Sequence, residues 1–510
     1  MATPIALGTQ SNPGRGFRDG SGRLINCYVE PRGDNGRHGA PVYPVDGLDV
    51  FAELPVQTQS EEEGYLLTQT GDNLLLQDGG SFLLEGDPFE GQQNDPNKGV
   101  QQLIADNGYL WCITGSGVYK VDAGGDATFI GGIAGSSAVT ADVNRTHQIG
   151  IVSDGYYYVL DTISATLTDY TQSLFFTGPN SVVHYNGYMV VTFPNNRWQI
   201  SFLNDATQWD VADLETAIFR GDETLRGMVR GGELLIFGNR SLEFWNDVGS
   251  TNGFTMQRVS ALELGIGPPM SAANVGEAVL FVDEDNAVRL VAGYSTQVVS
   301  THYISRKIRE SSDSPSIRAT AYERDGHLFY SISCTDFTLT YNLATQQWHE
   351  EQSYGEQRRL VNAVERWQNK WFAGNYKEGI IYELSADVHS DGTDKPIVME
   401  VITPPVHAFP DRIRVKSLFI DAMFGTALAA DVNADEADPK IMVWISEDDG
   451  ENFVFLEELS LGDINSKYEE LRVQGVGTSD QNGFVFRLTC STPVVRGILG
   501  MSADMTQVRA

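Results

Sequence analysis

Asn107-Gly108-Tyr109-Leu110-Trp111-Cys112-Ile113 reads as a turn dipeptide feeding a short apolar strand, and it has counterparts along the chain. Comparable strand cores begin at Ile149, Tyr188, Leu234, Val279, Leu328 and Trp371, so successive starts are separated by 39 to 49 residues. Asn186-Gly187, Gly231-Gly232 and Asp325-Gly326 are further turn pairs at such entries. These residue types tolerate the left-handed backbone that a two-residue hairpin requires. A repeat near 40–45 residues with several strands per unit is the signature of a β-propeller blade. The expected fold is therefore all-β. It has a propeller of about seven blades over residues 42–400, an extended N-terminal arm at 1–41 and a β-sandwich at 401–510.

Working outward, residues 1–41 are rich in Gly, Arg, Asn and Pro and contain one strand-like run, Leu24 to Val29. Such a segment cannot build a core of its own. Leu24, Ile25 and Tyr28 nevertheless require burial, and Arg15 and Arg23 require acidic partners. These five are the candidate interaction residues. The arm is expected to pack on the body or on a neighbouring copy, so that removing residues 1–23 weakens assembly and leaves the propeller's melting nearly unchanged. Pro41 to Leu54 is a candidate outer strand to close the ring. Residues 58–98 break the blade rhythm, and Asp78-Gly79-Gly80 between two apolar runs marks an inserted hairpin. Beyond Pro404-Pro405, strand candidates at Val415–Ala422, Ile441–Ile445, Phe453–Leu456 and Phe484–Leu488 suggest the sandwich.

The 510 residues carry a formal net charge of −33, with Gly at 52 positions and 41% hydrophobic residues. A chain this acidic lacks the Lys and Arg clusters that grip a nucleic-acid backbone by counterion release. The charge is uneven: residues 1–40 net +2, and residues 421–470 net −12. Four dispersed cysteines without a C-x-x-C pair signal neither zinc nor a disulfide framework, which suits a reducing cytosol. No stretch reaches the roughly 18 apolar residues of a membrane span, so a soluble chain with no membrane partner is expected.

The chemistry-bearing motifs are sparse. Ser446-Glu447-Asp448-Asp449-Gly450-Glu451-Asn452-Phe453 fits an Asp-box, a hairpin-folding device. Asp431 to Asp435 starts like a calcium loop, but Glu436 stands where Gly is needed and Met442 where Glu is needed. His38, His147, His184, His302, His327, His349, His389 and His407 show no metal-ligand spacing. There is no G-x-S-x-G, P-loop or G-x-G-x-x-G. No catalytic, cofactor-binding or metal residue is assigned, and the expectation is a chain without enzyme activity.

Several stretches together resemble one family. They are Asn12-Pro13-Gly14-Arg15 with Arg23 to Tyr28, Leu234 to Trp245 with Gly253-Phe254, Gln297 to Thr301 with Ile304-Ser305, Thr340 to Trp348, and Gly379 to Leu384. Their order along the chain is similar to that of the packaged-DNA stabilisation proteins of short-tailed bacteriophages, also called tail-hub or nozzle proteins. The resemblance implies a structural virion component of the tail, assembled in the host cytoplasm. It implies a homo-hexameric ring below the portal and its adaptor, extending the DNA channel, retaining packaged DNA until genome ejection and seating a tail needle or fibre and tailspikes. DNA would pass along a mostly carboxylate wall without specific binding. Residues 58–98 depart from the family pattern. The alternative reading is a carbohydrate-active propeller, sialidase-like or lectin. It calls for an arginine cluster and a Tyr–Glu pair in one polar pocket on the propeller axis.

Overall fold

The computed structural model describes residues 3–14, 20–31, 40–55, 99–135, 138–217, 219–249, 255–392, 395–427, 434–464, 466 and 470–509. The expected hairpin at 58–98, Arg15, His38, Gly253-Phe254 and the start of the Asp431 loop lie outside the described residues.

Among the described residues, seven antiparallel four-stranded units succeed one another, five as separate sheets, the sixth within a nine-stranded sheet and the seventh within a six-stranded one. Their innermost strands are Val100–Asp106, Val139–Val143, Ser181–Tyr185, Thr224–Arg230, Ala273–Val275, Arg318–Arg324 and Val361–Trp367, which define blades 1 to 7. The seven repeating strand cores read from the sequence are the second strands of these blades, Tyr109–Thr114 through Lys370–Asn375. The chain forms a seven-bladed propeller because each blade exposes two apolar faces that only its neighbours can cover. The hairpins between first and second strands use the expected residues: Asn107 and Gly108 have φ of 49° and 79°, and Asp325 and Gly326 have 48° and 79°. Both residues of such a turn sit in the left-handed region that Asn, Asp and Gly tolerate.

Aromatic pairs fill the interfaces between blades. Trp198 and Trp245 meet edge to face at 5.0 Å between blades 3 and 4, and Phe237 and Phe281 at 5.1 Å between blades 4 and 5. Tyr157 and Tyr158 are buried as expected of strand aromatics, whereas Tyr156, at the first position of its strand, is 39% exposed and stacks on Tyr158 at 6.3 Å on the same face.

Blade 7 takes its outer strand from the other end of the chain. Gly47–Glu53 pairs antiparallel with Ile380–Ser385, placing Ala52 opposite Ile381 and Leu48 opposite Leu384. Blades 7 and 1 then approach so closely that a Cβ on Gly374 would lie 2.3 Å from Val100 Cγ1.

A second pair of sheets is built from both chain ends. One contains Cys27–Val29, Val42–Pro44, Ile498–Val508, Arg412–Ala422 and Leu471–Thr478, with Thr3–Ile5 added along Ile498–Val508. The other contains Arg23–Ile25, Met399–Ile402, Val485–Cys490, Lys440–Ser446 and Val454–Ser460. One core of residues from both sheets, including Leu24, Cys27, Val401, Leu418, Val443, Phe486 and Ala503, lies between them. The arm expected at 1–41 thus supplies strands to a sandwich, and the propeller's contribution begins at Gly47 rather than at residue 42. Removing residues 1–23 would therefore strip an edge strand from this sandwich, so its effect would not be confined to assembly. Val454–Ser460 replaces the expected strand at Phe453–Leu456, because Phe453 closes the Asp-box turn. There Ser446 Oγ donates to Asp448 Oδ1 at 2.7 Å, and the Gly450 and Asn452 amides donate to Ser446 Oγ and Asp448 Oδ1 at 2.9 Å each.

Closure by Gly47–Glu53 makes Leu48 a test of the ring, since it is fully buried against Leu360, Val361, Ala373 and Tyr382. Leu48→Ala is expected to lower stability by about 3 kcal/mol, read as a reduced urea midpoint. A loss below about 0.5 kcal/mol would show that the closing strand does not share in the cooperative fold.

Candidate functional site

The residues singled out in the N-terminal arm meet at the junction of blade 6 and the sandwich. Ile25 pairs in parallel with Glu350 at the outer edge of blade 6, and Arg23–Ile25 pairs antiparallel with Met399–Ile402 on its other side. This three-residue strand makes blade 6 and one sandwich sheet a single nine-stranded sheet. Leu24 and Ile25 are buried, and Leu24 is clamped by Ser11, whose Oγ accepts from Leu24 N and donates to Leu24 O at 2.9 Å each. Tyr28 packs edge to face on Phe329 at 5.3 Å and on the His327 ring at 5.5 Å.

Glu350 is the centre of the junction. Arg23 grips it bidentately, Nε to Oε1 at 2.7 Å and Nη2 to Oε2 at 2.9 Å. Lys307, on the helix His302–Glu310 that precedes blade 6, reaches Oε2 at 2.5 Å, and the Tyr303 hydroxyl donates to Oε1 at 3.2 Å. Burial alone would raise the Glu350 pKa. The Arg23 guanidinium and the Lys307 ammonium outweigh it and hold the carboxyl down at about 2. Its sequence neighbour Glu351 faces the other way, between blades 6 and 7. It meets Arg359 Nη1 at 2.5 Å and His349 Nε2 at 3.1 Å, and it is also held at about 2 against its burial.

Asn26 was not singled out from the sequence, yet it carries the turn between the two arm strands. Its φ is 56°, its side-chain amide donates to Gln352 O at 2.9 Å and Val398 O at 3.0 Å, and its Oδ1 accepts from Gln352 N at 2.8 Å. A strand-like run with an Asn at its centre was the available signal, because Asn tolerates that backbone while bonding neighbouring peptides. Arg23, Leu24, Ile25 and Tyr28 are thus brought together in contacts within the chain, and Arg15 lies outside the described residues.

The other sequence candidates are dispersed. Cys27, Cys112, Cys334 and Cys490 are free and buried. Among the described residues, no group of three or more His, Cys, Asp or Glu could hold a metal ion, and no helix is long and apolar enough to cross a membrane.

A cavity of about 480 Å³ lies on the propeller axis, at the end where the inner strands begin. Arg226, Arg318 and Arg358 line it, with Gln101, Thr140 and Asn362. Tyr376 also lines it and donates from its hydroxyl to Glu356 Oε2 at 3.2 Å. An arginine cluster and a Tyr–Glu pair, the two features asked of a glycan hydrolase, therefore both occur. Glu356 is committed elsewhere, however. Lys377 Nζ binds its other oxygen at 2.5 Å and, by that hydrogen bond first, keeps its pKa low. A carboxylate paired with an ammonium is a poor base toward a phenol. The Tyr376 ring is in turn covered by the Arg358 guanidinium, 4.0 Å from its centroid. The pair does not form an activated nucleophile.

The depressed pKa of Glu350 gives a signed expectation. Its stabilisation is fully present above about pH 4.5, the unfolded value, and is lost as pH falls toward the folded value of about 2. Glu350→Gln leaves Arg23 and Lys307 facing a neutral group. It is expected to cost about 2 kcal/mol at pH 7, toward the low end for a broken pair because both cations are partly exposed. The deficit should shrink between pH 4.5 and 2 in urea titrations. An unchanged deficit at pH 2.5 would remove the ion pair as its cause.

No curated protein matches the chain. Similarities to solved structures are distant. PorZ, described as an essential bacterial surface component of the type-IX secretion system of Porphyromonas gingivalis, gives a TM-score of 0.36 at 12% identity over 62% of this chain, which spans only 43% of that one. The WD40 propeller domain of Doa1 gives 0.40 at 10% identity over 67% of this chain and 97% of that one, and the designed Ika8 protein 0.36 at 11% over 75% and 99%. Residues 89–389 match the family described as "Bacteriophage P22 Gp10, beta-propeller". That stretch holds six complete blades and the three strands of blade 7 that follow them, and the chain belongs to this family of phage stabilisation propellers.

Proposed function

We propose that the chain is a structural hub of a short-tailed phage tail, acting as a ring that extends the DNA channel below the portal and its adaptor. The reading adds that the ring retains packaged DNA and seats a needle, fibre or tailspikes. Family membership over the propeller is the single observation that carries this reading. The fold is compatible with it. The closing strand of blade 7 and the Arg23–Glu350 junction tie propeller and sandwich into one body with both chain ends woven into it, a construction suited to bearing load. The net charge of −33 suits a wall past which DNA slides, since no counterion-releasing contacts form. Wall and phosphate repel only over the Debye length, about 8 Å at physiological salt, so retention rests on a physical plug and on fit rather than on affinity.

No reaction chemistry is assigned. The hydrolase reading has the axial arginines in its favour, but the committed Glu356 removes its base.

Native mass spectrometry and negative-stain microscopy of the chain mixed with its portal-adaptor neighbour should reveal a six-fold ring. The chain alone should show no measurable binding to duplex DNA, even at low salt. A persistent monomer with glycan affinity, or tight salt-sensitive DNA binding, would overturn the reading.

A further inference from the structure

Three guanidinium groups converge at one end of the propeller axis in a chain with a large excess of carboxylates. Arg226 leads in from the start of the blade 4 inner strand, Arg318 begins the blade 6 inner strand, and Arg358 lies on the approach to blade 7. Arg226 Nη1 donates to Pro269 O at 3.0 Å, Arg318 donates to Gln101 Oε1 and, at 3.0 Å, to Val139 O, and Arg358 donates to Arg359 O and Val361 O at 3.1 and 2.9 Å. These hydrogen bonds of the three go to neutral groups, while the Asp313 and Glu356 carboxylates act on Arg358 through space. Arg226 Nε and Nη2 make no hydrogen bond to any described residue. Asp313 is the single carboxylate among the lining residues, and its Oδ2 accepts from the Thr335 amide and hydroxyl at 3.1 and 2.9 Å. The lining therefore carries three positive charges against one negative.

Gathering like charges out of bulk water is costly unless a counter-charge joins them. Burial pushes the guanidiniums of Arg226 and Arg358 down to about 10. Arg318 falls to about 9, by burial first and then through the charges of the other two. A structural arginine is ordinarily placed beside a carboxylate, as Arg23 and Arg359 are here. The axial three are placed around open volume instead, and guanidinium forks match the paired oxygens of carboxylate and phosphate.

We infer that the axial cavity is a binding site for a small oxyanion, a phosphate or carboxylate group, held by Arg226, Arg318 and Arg358 at the end of the disc where the inner strands begin. The lining suits a ligand with more than a bare ion, because Leu225, Pro269 and Met270 offer it apolar contact. The site needs no activated nucleophile, and it is independent of the ring proposed above.

The test is isothermal titration calorimetry on the full chain with sodium phosphate and with sodium N-acetylneuraminate, each against sodium chloride of matched ionic strength. Saturable binding of either probe is expected, and which one binds tells a phosphate from a sugar carboxylate. Arg226→Gln keeps a donor toward Pro269 O and removes the charge, and it should weaken the affinity about tenfold. Gln101→Glu places a carboxylate where Arg318 already bonds. It should raise the melting temperature in chloride and abolish the anion-dependent response, which keeps the test decisive should Arg226→Gln fold poorly. Heats no different from chloride for both probes would overturn the site. So would binding that survives in whichever variants fold.

Discussion

The pairing of Gly47–Glu53 with Ile380–Ser385 is the constraint on which the rest of the structure depends. A ring of radial sheets is stable only when its last sheet covers its first. Here that closure is made by a strand preceding blade 1, so the two ends of the propeller segment are drawn to one place. Everything outside the ring must then start from that place. The N-terminal strands and the chain beyond residue 396 meet beside blades 6 and 7, and each supplies strands that the other lacks. The sandwich is the consequence: neither Cys27–Val29 nor Met399–Ile402 has enough apolar surface to stand alone, but together with Arg412–Ala422 and Ile498–Val508 they enclose one core.

Continuity of the sheet from blade 6 into the sandwich solves a second problem. The outer edge of a propeller blade presents unpaired backbone groups that invite association. In blade 6 that edge is covered by Arg23–Ile25, and the sheet runs on through it. The polar groups at this seam are arranged by strand alternation. Glu350 turns toward Arg23 and Lys307, and Glu351 turns toward Arg359 and His349. Two adjacent carboxylates, which would repel if they shared a face, instead pin the arm on one side and the interface of blades 6 and 7 on the other. Their low pKa values express how completely each is paired.

The axis shows the opposite arrangement. Positive groups there line open volume, with backbone carbonyls and the Gln101 amide as hydrogen-bond partners and one carboxylate, Asp313, in the lining. Within a single acidic chain the seam spends its arginines on carboxylates and the axial cavity withholds them, a contrast that separates a structural use of charge from a binding one.

The sequence by itself determined the number and kind of the blades. Each second strand is a local apolar run behind a turn such as Asn107-Gly108 or Asp325-Gly326, and local sterics suffice to place it. It also determined that Leu24, Ile25 and Tyr28 needed burial, because apolar side chains in a Gly/Arg-rich segment have no other stable fate. What covers them was decided only in three dimensions. Glu350 lies 327 residues from Arg23, and nothing in the local sequence distinguishes it from Glu351. Asn26 looked like a strand residue until its positive φ and its three hydrogen bonds placed it at a crossing of two domains. The strand Leu471–Thr478 alternates only from Leu471 to Gln474 before Gly475 and Gly477 interrupt it, and its pairing with Arg412–Ala422 completes it as a strand. Arg226, Arg318 and Arg358 belong to different blades and show no spacing motif. Ring closure alone brings them to one cavity, which is why the chain's overall acidity, legible from composition, gave no sign of a positive centre.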